Sequence, residues 1–308
     1  MKCIVTGGTG FIGNALCREL LAEGDEVCAV IRPDSRRKEG LSDLKEKYGE
    51  RFQLRELGLE NLDVLSDIQG DIFFHLAWNG SAGASREDYR IQASNLRYME
   101  SALRAARQCG CRKFVGAGSQ AEYGVVQGKA TENSTVPQPF MMYGAAKLAA
   151  YHMGKLLAEQ LDIGFVWPRI YSVYGVGENG GTLISYLLET LTKGETPQLS
   201  PCENMWNFLY VTDCTRILAA LGKSERSSGL YNVASNDTRL LKDFVEELRD
   251  IIAPGAMLAF GKRQADPGRT FWLEPDTTRM ESIVKMRYIP FAEGIRRLGQ
   301  TAASGDGL

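Results

Sequence analysis

Tyr143 and Lys147 have the types and the spacing that proton transfer requires. They are four positions apart in the segment YGAAK, where the pattern predicts the start of a helix that runs to about Leu161. Residues at i and i+4 share one face of a helix, so the phenol and the ammonium should lie side by side. Because a nearby cation favours the phenolate, we expect the pKa of Tyr143 to move from about 10 towards neutrality. Tyr143 would then exchange a proton with a carbonyl or alcohol oxygen.

Ser119 is the third residue with a candidate role in chemistry. It closely follows the run at residues 113–117, which predicts a strand. Ligands of open α/β sheets bind outside the carboxyl ends of the strands, so Ser119 is placed to hold the oxygen on which Tyr143 acts. The pair Tyr-x-x-x-Lys is a weak signal alone, since such pairs occur by chance on helix surfaces. The serine at a strand end strengthens it.

A glycine-rich turn, TGGTGFIG at residues 6–13, lies between the short apolar run at 3–5 and an amphipathic run from Ala15. This order predicts a strand, a turn and a helix start, which is the context that a dinucleotide-binding fingerprint requires. Its glycines allow positive φ, close approach to a pyrophosphate and close packing of helix on strand, and the helix N-terminus attracts phosphate. A bound nicotinamide would pass hydride while Tyr143 exchanges the proton. The predicted contacts are Gly7, Thr9, Gly10, Phe11, Ile12 and Gly13.

The second predicted strand, residues 26–31, ends at Arg32, where dinucleotide folds read the adenosine ribose. A carboxylate at this place usually accepts from the 2′-hydroxyl of NAD, whereas a guanidinium suits the 2′-phosphate of NADP. Arg32 therefore favours NADP(H) as the cofactor. Asp34 keeps NAD(H) open as the alternative, and at least one of Arg36 and Arg37 is expected to belong to a solvated loop.

Strands and helices alternate along the first half of the chain. The run at residues 71–77 is apolar throughout, which predicts a parallel strand covered on both faces, with His75 buried and hydrogen-bonded rather than acting as a base. A helix is predicted from about 87 to 109, and the crossovers should be right-handed. The expected fold class is α/β, a Rossmann doubly wound parallel sheet with a smaller C-terminal α/β lobe that binds substrate.

The domain organisation follows from where this alternation changes. The expected parts are an NAD(P)-binding Rossmann domain at 1–175, a segment at about 206–235 that returns to it, a substrate-binding lobe at 176–298 and a disordered tail at 299–308. In the lobe, Asp213 is expected to cap the N-terminus of a helix that runs to about Gly222.

The composition excludes several classes of function. With 308 residues, 44% hydrophobic content and a net charge of −2, the chain resembles an ordinary globular protein. No long charged run points to nucleic acid or a membrane as partner, and no leader or long apolar run is present, so a cytoplasmic protein is expected. Seven scattered cysteines, with a Cys109-Gly110-Cys111 segment that lacks a second ligand pair, predict reduced thiols and no metal site.

The motifs, taken in order, resemble the extended short-chain dehydrogenase/reductase family. They are TGGTGFIG, HLA at 75–77, Asn95 in a long helix, Ser119 before Tyr123-Gly124, YGAAK, PRIYSVYG at 168–175 and FLYVTD at 208–213. The likeness runs from Met1 to about Gly294 and is to the NAD(P)-dependent epimerase/dehydratase group, which acts on nucleotide sugars. It implies a Ser119, Tyr143 and Lys147 triad in which the lysine also bonds the nicotinamide ribose. It further implies a cofactor wall at Leu76, Ala77, Pro168 and Ile170.

Departures from the family pattern narrow the expected reaction. Sugar 4,6-dehydratases of the family follow the serine or threonine with Asp-Glu, or with Glu two places on, because expelling water requires an acid and a base. Gln120 and Ala121 occupy those places, so 4,6-dehydration is disfavoured. Glu122 is displaced by one residue, which leaves a variant dehydratase open, although binding of substrate hydroxyls or backbone is its favoured role. Arg32 favours reduction of a 4-keto (6-deoxy) nucleotide sugar by NADPH, and the motif QAEYG, together with Trp206-Asn207-Phe208, resembles the 4-ketoreductase branch of the family.

Two further functions stay open at this point. An epimerase would retain NAD(P) and return the hydride to the same substrate. A non-catalytic NADP-binding regulator is less expected, because such proteins generally lose the tyrosine or the lysine, and both are present. The resemblance also implies a nucleotide-diphosphate sugar as the small-molecule partner. Family dimers bury the helices that here carry Asn95 and residues 143–161, so a homodimer is expected.

The remaining candidates concern binding of the substrate. The polar stretch at 178–181 predicts a loop that closes over the site. By resemblance, Lys262, Arg263 and Arg269 fall where relatives hold the diphosphate, a task that suits guanidinium, with exposed solubilising charge as the alternative. Trp206 either packs on the base or closes the core of the lobe. The predicted substrate-binding residues are Gln120, Glu122, Asn179, Trp206, Arg263 and Arg269.

Overall fold

The computed structural model describes residues 1–178, 180–264 and 271–304. The strands are β1 (Lys2–Thr6), β2 (Glu26–Ile31), β3 (Phe52–Glu56), β4 (Ile72–His75), β5 (Lys113–Gly116), β6 (Gly118–Ser119), β7 (Gly164–Ile170), β8 (Ser172–Tyr174), β9 (Met205–Tyr210), β10 (Gly229–Val233) and β11 (Thr238–Leu240). The α-helices are α1 (Phe11–Ala22), α2 (Ser42–Tyr48), α3 (Tyr89–Gln108), α4 (Met142–Gln160), α5 (Leu183–Thr192), α6 (Val211–Lys223), α7 (Leu241–Ile252), α8 (Thr278–Glu281) and α9 (Phe291–Ser304).

The main sheet is parallel, in the spatial order β10-β7-β5-β4-β1-β2-β3, and the two-residue strand β6 pairs with β7. The chain builds outward from β1 to β3 and then returns to place β4 on the other side of β1. The strand order therefore reverses between β1 and β4. In open α/β sheets ligands bind in the crevice at such a switch point. The predicted doubly wound parallel sheet is confirmed.

The two faces of this sheet are covered by different helices. Leu16 of α1 and Leu218 of α6 belong to the apolar cluster on one face, and Leu103 of α3 belongs to the cluster on the other. Burial on both faces explains why the central strands are apolar runs rather than alternating sequences. His75 is buried at the end of β4, as expected, with its Nδ1 2.9 Å from Oγ1 of Thr6. Burial lowers the pKa of His75 to about 3, so the ring is neutral.

A smaller sheet, β8-β9-β11, lies in the later part of the chain. Its core, which α5, α7 and α9 help to form, gathers aromatic rings: Phe244 lies 5.1 Å from Phe208 and 4.8 Å from Phe291 between ring centroids. The segment at 206–235 divides between the two sheets. Strand β9 belongs to the smaller one, whereas β10 extends the main sheet beside β7 and α6 packs beneath it. The predicted domain boundary at 175 stays a prediction.

Asp213 does not cap α6, so that prediction is wrong. The helix begins at Val211, and Tyr210 occupies the N-cap position. The Asp213 carboxylate is 1% exposed and accepts the backbone N–H of Ile289 at 2.7 Å. It therefore fastens the segment before α9 to α6 instead of starting a helix.

The disordered tail predicted at 299–308 is wrong for its first six residues. Helix α9 extends to Ser304. It is held by an apolar face on which Ile295 and Leu298 are 0% and 1% exposed. Residues 305–308 lie outside the described residues.

All seven cysteines are buried free thiols. Burial raises the pKa of Cys28 to about 12, which keeps this thiol protonated. Across the described residues, no group of three or more His, Cys, Asp or Glu side chains is arranged to hold a metal ion. None of the helices in the described ranges is long and apolar enough to cross a membrane.

Candidate functional site

A cleft of about 780 Å³ lies at the switch point, lined by the glycine-rich turn and by residues that follow β4, β5 and β7. Gly7 has a φ of +77°, and a Cβ there would lie 2.8 Å from the backbone nitrogen of Ala77. A Cβ on Gly13 would lie 2.1 Å from the carbonyl oxygen of Gly7, so both positions require glycine. The N-terminus of α1 faces the cleft and suits a pyrophosphate. The residues present therefore fit a dinucleotide.

Most of the predicted cofactor residues line this cleft. They are Gly7, Thr9, Gly10, Phe11, Ile12, Gly13, Arg32, Leu76, Ala77, Tyr143, Lys147 and Ile170. Pro168 does not, and its assignment as a cofactor contact is wrong. It is buried in the middle of β7, where it pairs with Tyr231 of β10, and the strand reaches the cleft two residues later, at Ile170.

Replacing Gly7 with Ala is expected to abolish tight dinucleotide binding, because the new methyl group would push against the backbone at Ala77. Gly24→Ala is the matched control: its φ is +94°, yet a Cβ there would meet nothing within 4 Å. Both variants carry the left-handed backbone cost of about 1–2 kcal/mol, so only the steric contact differs. Fluorescence titration with NADPH measures the effect. Equal affinity in the two variants would contradict this role of Gly7.

Arg32 lies at the outer end of the cleft, where the adenosine half of a dinucleotide is expected. Its side chain is 61% exposed, and Nε is 3.8 Å from a carboxylate oxygen of Asp34. The loop after β2 is tied to the glycine-rich turn by Ser35, whose hydroxyl donates to Oγ1 of Thr9 at 2.9 Å. No sequence signal points to this role of Ser35. The arrangement leaves the Arg32 guanidinium accessible to an anionic group.

Ser119, Tyr143 and Lys147 come together on the opposite side of the same cleft. Lys147 is 3% exposed; its Nζ donates to the carbonyl oxygen of Ala117 at 2.6 Å and lies 5.7 Å from the Tyr143 ring centroid. Ser119 lies near enough to Tyr143 to lower the pKa of its phenol. The Ser119 hydroxyl also accepts the backbone N–H of Ala121, because it caps the 3₁₀ turn Gln120–Glu122. The juxtaposition expected from spacing is present.

The expected lowering of the Tyr143 pKa is wrong for the free protein. Burial raises the pKa of Tyr143 and outweighs the opposing effects of Ser119 and the Arg86 charge. Burial also lowers the pKa of Lys147 to about 7, against the effect of Glu122. Spacing predicts proximity alone, whereas the balance of burial against charge depends on the folded surroundings.

Two residues of the site carry no sequence signal recognised above. Trp78 presents its ring face 3.6 Å from Nζ of Lys147 and stands edge-on to Tyr143, 6.2 Å between centroids. Its indole N–H donates to Gln92 at 2.9 Å. Arg86 lies over the Tyr143 ring, 4.6 Å from the centroid. Their relevance follows from the path of the loop after β4, which is a tertiary feature.

Glu122 does not reach the cleft, so its assignment as a substrate contact is wrong. It is 0% exposed, and one carboxylate oxygen accepts the backbone N–H of Ser119 at 2.8 Å and the Trp167 indole N–H at 2.9 Å. The other accepts from Nε of Arg169 at 2.7 Å. The carboxylate is thus fully engaged beneath Ser119. The spacing Ser-x-x-Glu is a capping-box signal, which predicts the hydrogen bond from the Ser119 backbone N–H to the Glu122 carboxylate.

The other predicted substrate-binding residues do not all lie at the cleft. Gln120 lines the cleft, and its Oε1 is buried with no hydrogen-bond partner among the described residues. Trp206 packs 6.1 Å from Phe208, between ring centroids, and Arg263 lies over the Tyr186 ring at 4.5 Å; neither lines the cleft. Asn179 and Arg269 lie outside the described residues.

The fold and the cleft are those of a Rossmann-type dinucleotide-binding protein. Residues 3–234 match the model of the NAD dependent epimerase/dehydratase family, and the chain belongs to that family. The resemblance to extended short-chain dehydrogenases/reductases is thereby confirmed.

Named relatives share a quarter or so of their residues with this chain. It is 27% identical over 285 residues to the uncharacterized UDP-glucose epimerase YtcB of Bacillus subtilis, covering 89% of each chain. It is 27% identical over 258 residues to a dTDP-6-deoxy-L-talose 4-dehydrogenase (NAD(P)(+)) of Kitasatospora kifunensis, covering 80% of this chain and 78% of that one. The structure of the UDP-glucuronic acid 4-epimerase of Bacillus cereus, in complex with UDP-glucuronic acid and NAD, superposes with a TM-score of 0.83 at 22% identity over 99% of both chains.

Proposed function

We propose that this protein reduces a 4-keto (6-deoxy) nucleotide sugar with NADPH. The observation that carries the proposal is the meeting of the glycine-rich turn with Ser119, Tyr143 and Lys147 in one cleft. The relative that is a 4-dehydrogenase supports it, since oxidation at position 4 is the reverse of reduction of a 4-ketone. Incubation with NADPH and a panel of 4-keto-6-deoxy nucleotide sugars, followed by NADPH absorbance, tests it.

The proton side of the reaction belongs to Tyr143. Bound NADPH supplies a hydride to the carbonyl carbon. The Ser119 hydroxyl donates a hydrogen bond to the carbonyl oxygen, and the phenol O–H bond of Tyr143 breaks as an O–H bond forms on the substrate. Tyr143 is left as phenolate, and Lys147, held by Ala117 and by the Trp78 ring, offers the neighbouring positive charge. Solvent then returns the proton to Tyr143.

Reduction is favoured over dehydration by the position of Glu122. The carboxylate that kept a variant dehydratase open lies beneath Ser119, paired with Arg169, and has no exposure to the cleft. Of the residues that follow Ser119 in this segment, the amide Gln120 lines the cleft and the acid Glu122 does not. Ketone reduction needs only the hydride and the proton that Tyr143 gives.

Epimerisation is the second candidate function, because the named relatives include epimerases and the same triad serves both reactions. An epimerase keeps its nicotinamide and returns the hydride, so it consumes no NADPH. Sugar interconversion without oxidation of NADPH would favour it. The exposed Arg32 guanidinium favours NADP(H), whose 2′-phosphate it would bind. It therefore favours reduction, in which the cofactor is exchanged at each turnover, over epimerisation.

Arg32→Ala is expected to weaken NADPH binding by roughly ten- to a hundredfold, since a hydrogen bond to a charged group contributes about 1.5–3 kcal/mol. NADH binding should change little, because NADH has no 2′-phosphate. Arg36→Ala is the matched control, as Arg36 does not line the cleft. Paired fluorescence titrations measure the ratio. A wild-type protein that binds NADH as tightly as NADPH would overturn the preference for NADP.

We further propose a homodimer built on α4. Its exposed apolar side chains, Met142, Met153 and Leu156, are 43%, 58% and 60% exposed in the single chain. Light scattering of the wild-type protein should give twice the mass of one chain, and light scattering of Leu156→Glu should give the mass of one chain. Val136→Glu introduces the same charge at an exposed loop residue outside α4 and should leave the dimer intact. A monomeric wild-type protein would refute the assignment.

The substrate half of the cleft is proposed to take a nucleotide-diphosphate sugar. Gln120 lines the cleft and is proposed to bind the sugar, because its buried Oε1 accepts from no described residue. Arg263 is proposed to reach the diphosphate, since a guanidinium binds two phosphate oxygens at once. Trp206, which lies outside the cleft and packs on Phe208, is proposed to take the other role considered for it, that of closing the core of the lobe.

A further inference from the structure

Arg86 lies on the face of the Tyr143 ring, and the family-based roles above leave it unassigned. Its guanidinium carbon is 4.6 Å from the ring centroid, and the half-buried side chain lines the cleft beside Ser119. Its Nε is buried and finds no hydrogen-bond partner among the described residues. A buried unpaired donor on a charged group is costly, which separates Arg86 from ordinary surface charge.

The residues on either side of Arg86 are hydrogen-bonded to two helices. On one side, the carbonyl oxygen of Ser85 accepts from Nε2 of Gln92 at 2.9 Å, and Gln92 is 2% exposed on α3. On the other, the Glu87 carboxylate accepts the backbone N–H of Met142, the first residue of α4, at 3.2 Å. The loop is therefore tied directly to the helix that carries the phenol. This anchoring holds the guanidinium over the ring.

The charged groups around the Tyr143 phenol come from three elements. Lys147 is on the same helix, Arg86 and Glu87 are on the loop after β4, and Glu122 is on the 3₁₀ turn after β6. Glu122 raises the pKa of Tyr143, whereas Arg86 lowers it. Lys147 loses its charge above its lowered pKa of about 7. A guanidinium stays charged throughout this range.

Lys147 lies further from the Tyr143 ring than Arg86 does. Its Nζ is 5.7 Å from the Tyr143 ring centroid and is committed to the Ala117 carbonyl oxygen and to the face of Trp78. The Arg86 guanidinium is closer to the ring than this ammonium. Two cations therefore lie beside one phenol, one from the loop after β4 and one from α4.

We propose that Arg86 is a positioning residue that acts through Tyr143: its guanidinium stabilises the negative charge left on the phenol oxygen when the proton moves to the substrate. The proposal rests on the proposed role of Tyr143 as the general acid. It makes Arg86 a permanent counter-charge that complements the titratable Lys147. It applies to ketone reduction and to epimerisation alike, since both use the phenol.

Arg86→Gln, Arg86→Lys and the wild type are compared by kcat as a function of pH, with the substrate that the wild type turns over. Loss of the charge should raise the pKa of the basic limb by about one unit and lower kcat about tenfold. Arg86→Lys keeps the charge and should keep that pKa. Arg90→Gln, an exposed arginine on α3 outside the cleft, is the matched control and should behave as the wild type.

A substrate-free measurement separates this proposal from the proposed function. The Cζ signal of labelled tyrosine, assigned with Tyr143→Phe, reports ionisation of the phenol as the pH rises. At the highest pH at which the fold persists, wild-type Tyr143 should have moved further towards tyrosinate than Tyr143 in Arg86→Gln. Identical signals, or unshifted pH profiles, would overturn the proposal. Failure of every ketosugar to oxidise NADPH, with the two signals still different, would overturn only the proposed function.

Discussion

Tyr143→Phe is expected to lower kcat by about 10²- to 10⁴-fold, because it removes the proton donor of the reaction while keeping the ring. The ring should stay packed against Trp78 and Arg86, which contact it 6.2 Å and 4.6 Å from its centroid. The affinity for NADPH, measured by fluorescence titration, should be unchanged. Steady-state rates with the preferred ketosugar give the size of the loss.

Tyr151→Phe provides the matched control for this variant. Tyr151 lies on the same helix, two turns further on, and packs beside Trp167 at 6.2 Å between ring centroids, away from the cleft. It should retain wild-type kcat. Full turnover by Tyr143→Phe would remove Tyr143 from the chemistry. Equal losses in both variants would point to packing of α4 rather than to proton transfer.

Arg169→Met is expected to lower the free energy of unfolding by about 3–5 kcal/mol, because it leaves the Glu122 carboxylate buried without its partner. Arg169 and Glu122 have side chains only 1% and 0% exposed, with Nε and the carboxylate oxygen 2.7 Å apart. The melting temperature should fall by the order of 10 °C. Denaturant unfolding gives the free energy directly. The double variant with Glu122→Gln removes the stranded charge and should recover part of the loss.

The exposed ion pair between Arg104 and Glu100 on α3 is the control for the buried pair. Its atoms are 3.0 Å apart, but the side chains are 56% and 52% exposed. Exposed pairs contribute about 0–1 kcal/mol, so Arg104→Met should change stability little. Similar losses of unfolding free energy in Arg104→Met and Arg169→Met would mean that burial does not increase the contribution of the Arg169–Glu122 pair to stability. The change at position 169, unlike that at 104, should also disturb the position of Ser119, since Glu122 accepts the backbone N–H of Ser119.

The parts of the site that local pattern determines could be predicted from the sequence. The turn at residues 6–13 must be glycine-rich because its backbone bends against itself, and that requirement is visible as spacing. The i, i+4 pair of Tyr143 and Lys147 likewise depends only on helix geometry. Both features lie in the cleft where the parallel sheet reverses its strand order.

The parts that depend on tertiary surroundings could not be predicted in the same way. Trp78 and Arg86 reach the phenol because the loop after β4 folds back over α4, and nothing in their spacing encodes that path. The raised pKa of Tyr143 reflects burial, which outweighs nearby charge only once the cleft has formed. Glu122 is a different case, because the capping-box pattern with Ser119 is present in the sequence and indicates a carboxylate that accepts the Ser119 backbone N–H.

Deuterium transfer from the cofactor to C4 of the sugar is the decisive test of NADPH-dependent reduction. The wild-type protein is incubated with NADPH deuterated at the transferable position and with the 4-keto-6-deoxy nucleotide sugar that it prefers, and the product is examined by NMR. We expect one deuterium at C4 of the sugar for each NADPH oxidised, and at least a hundredfold slower transfer with Tyr143→Phe. Conversion of the sugar without deuterium at C4 and without oxidation of NADPH would contradict it.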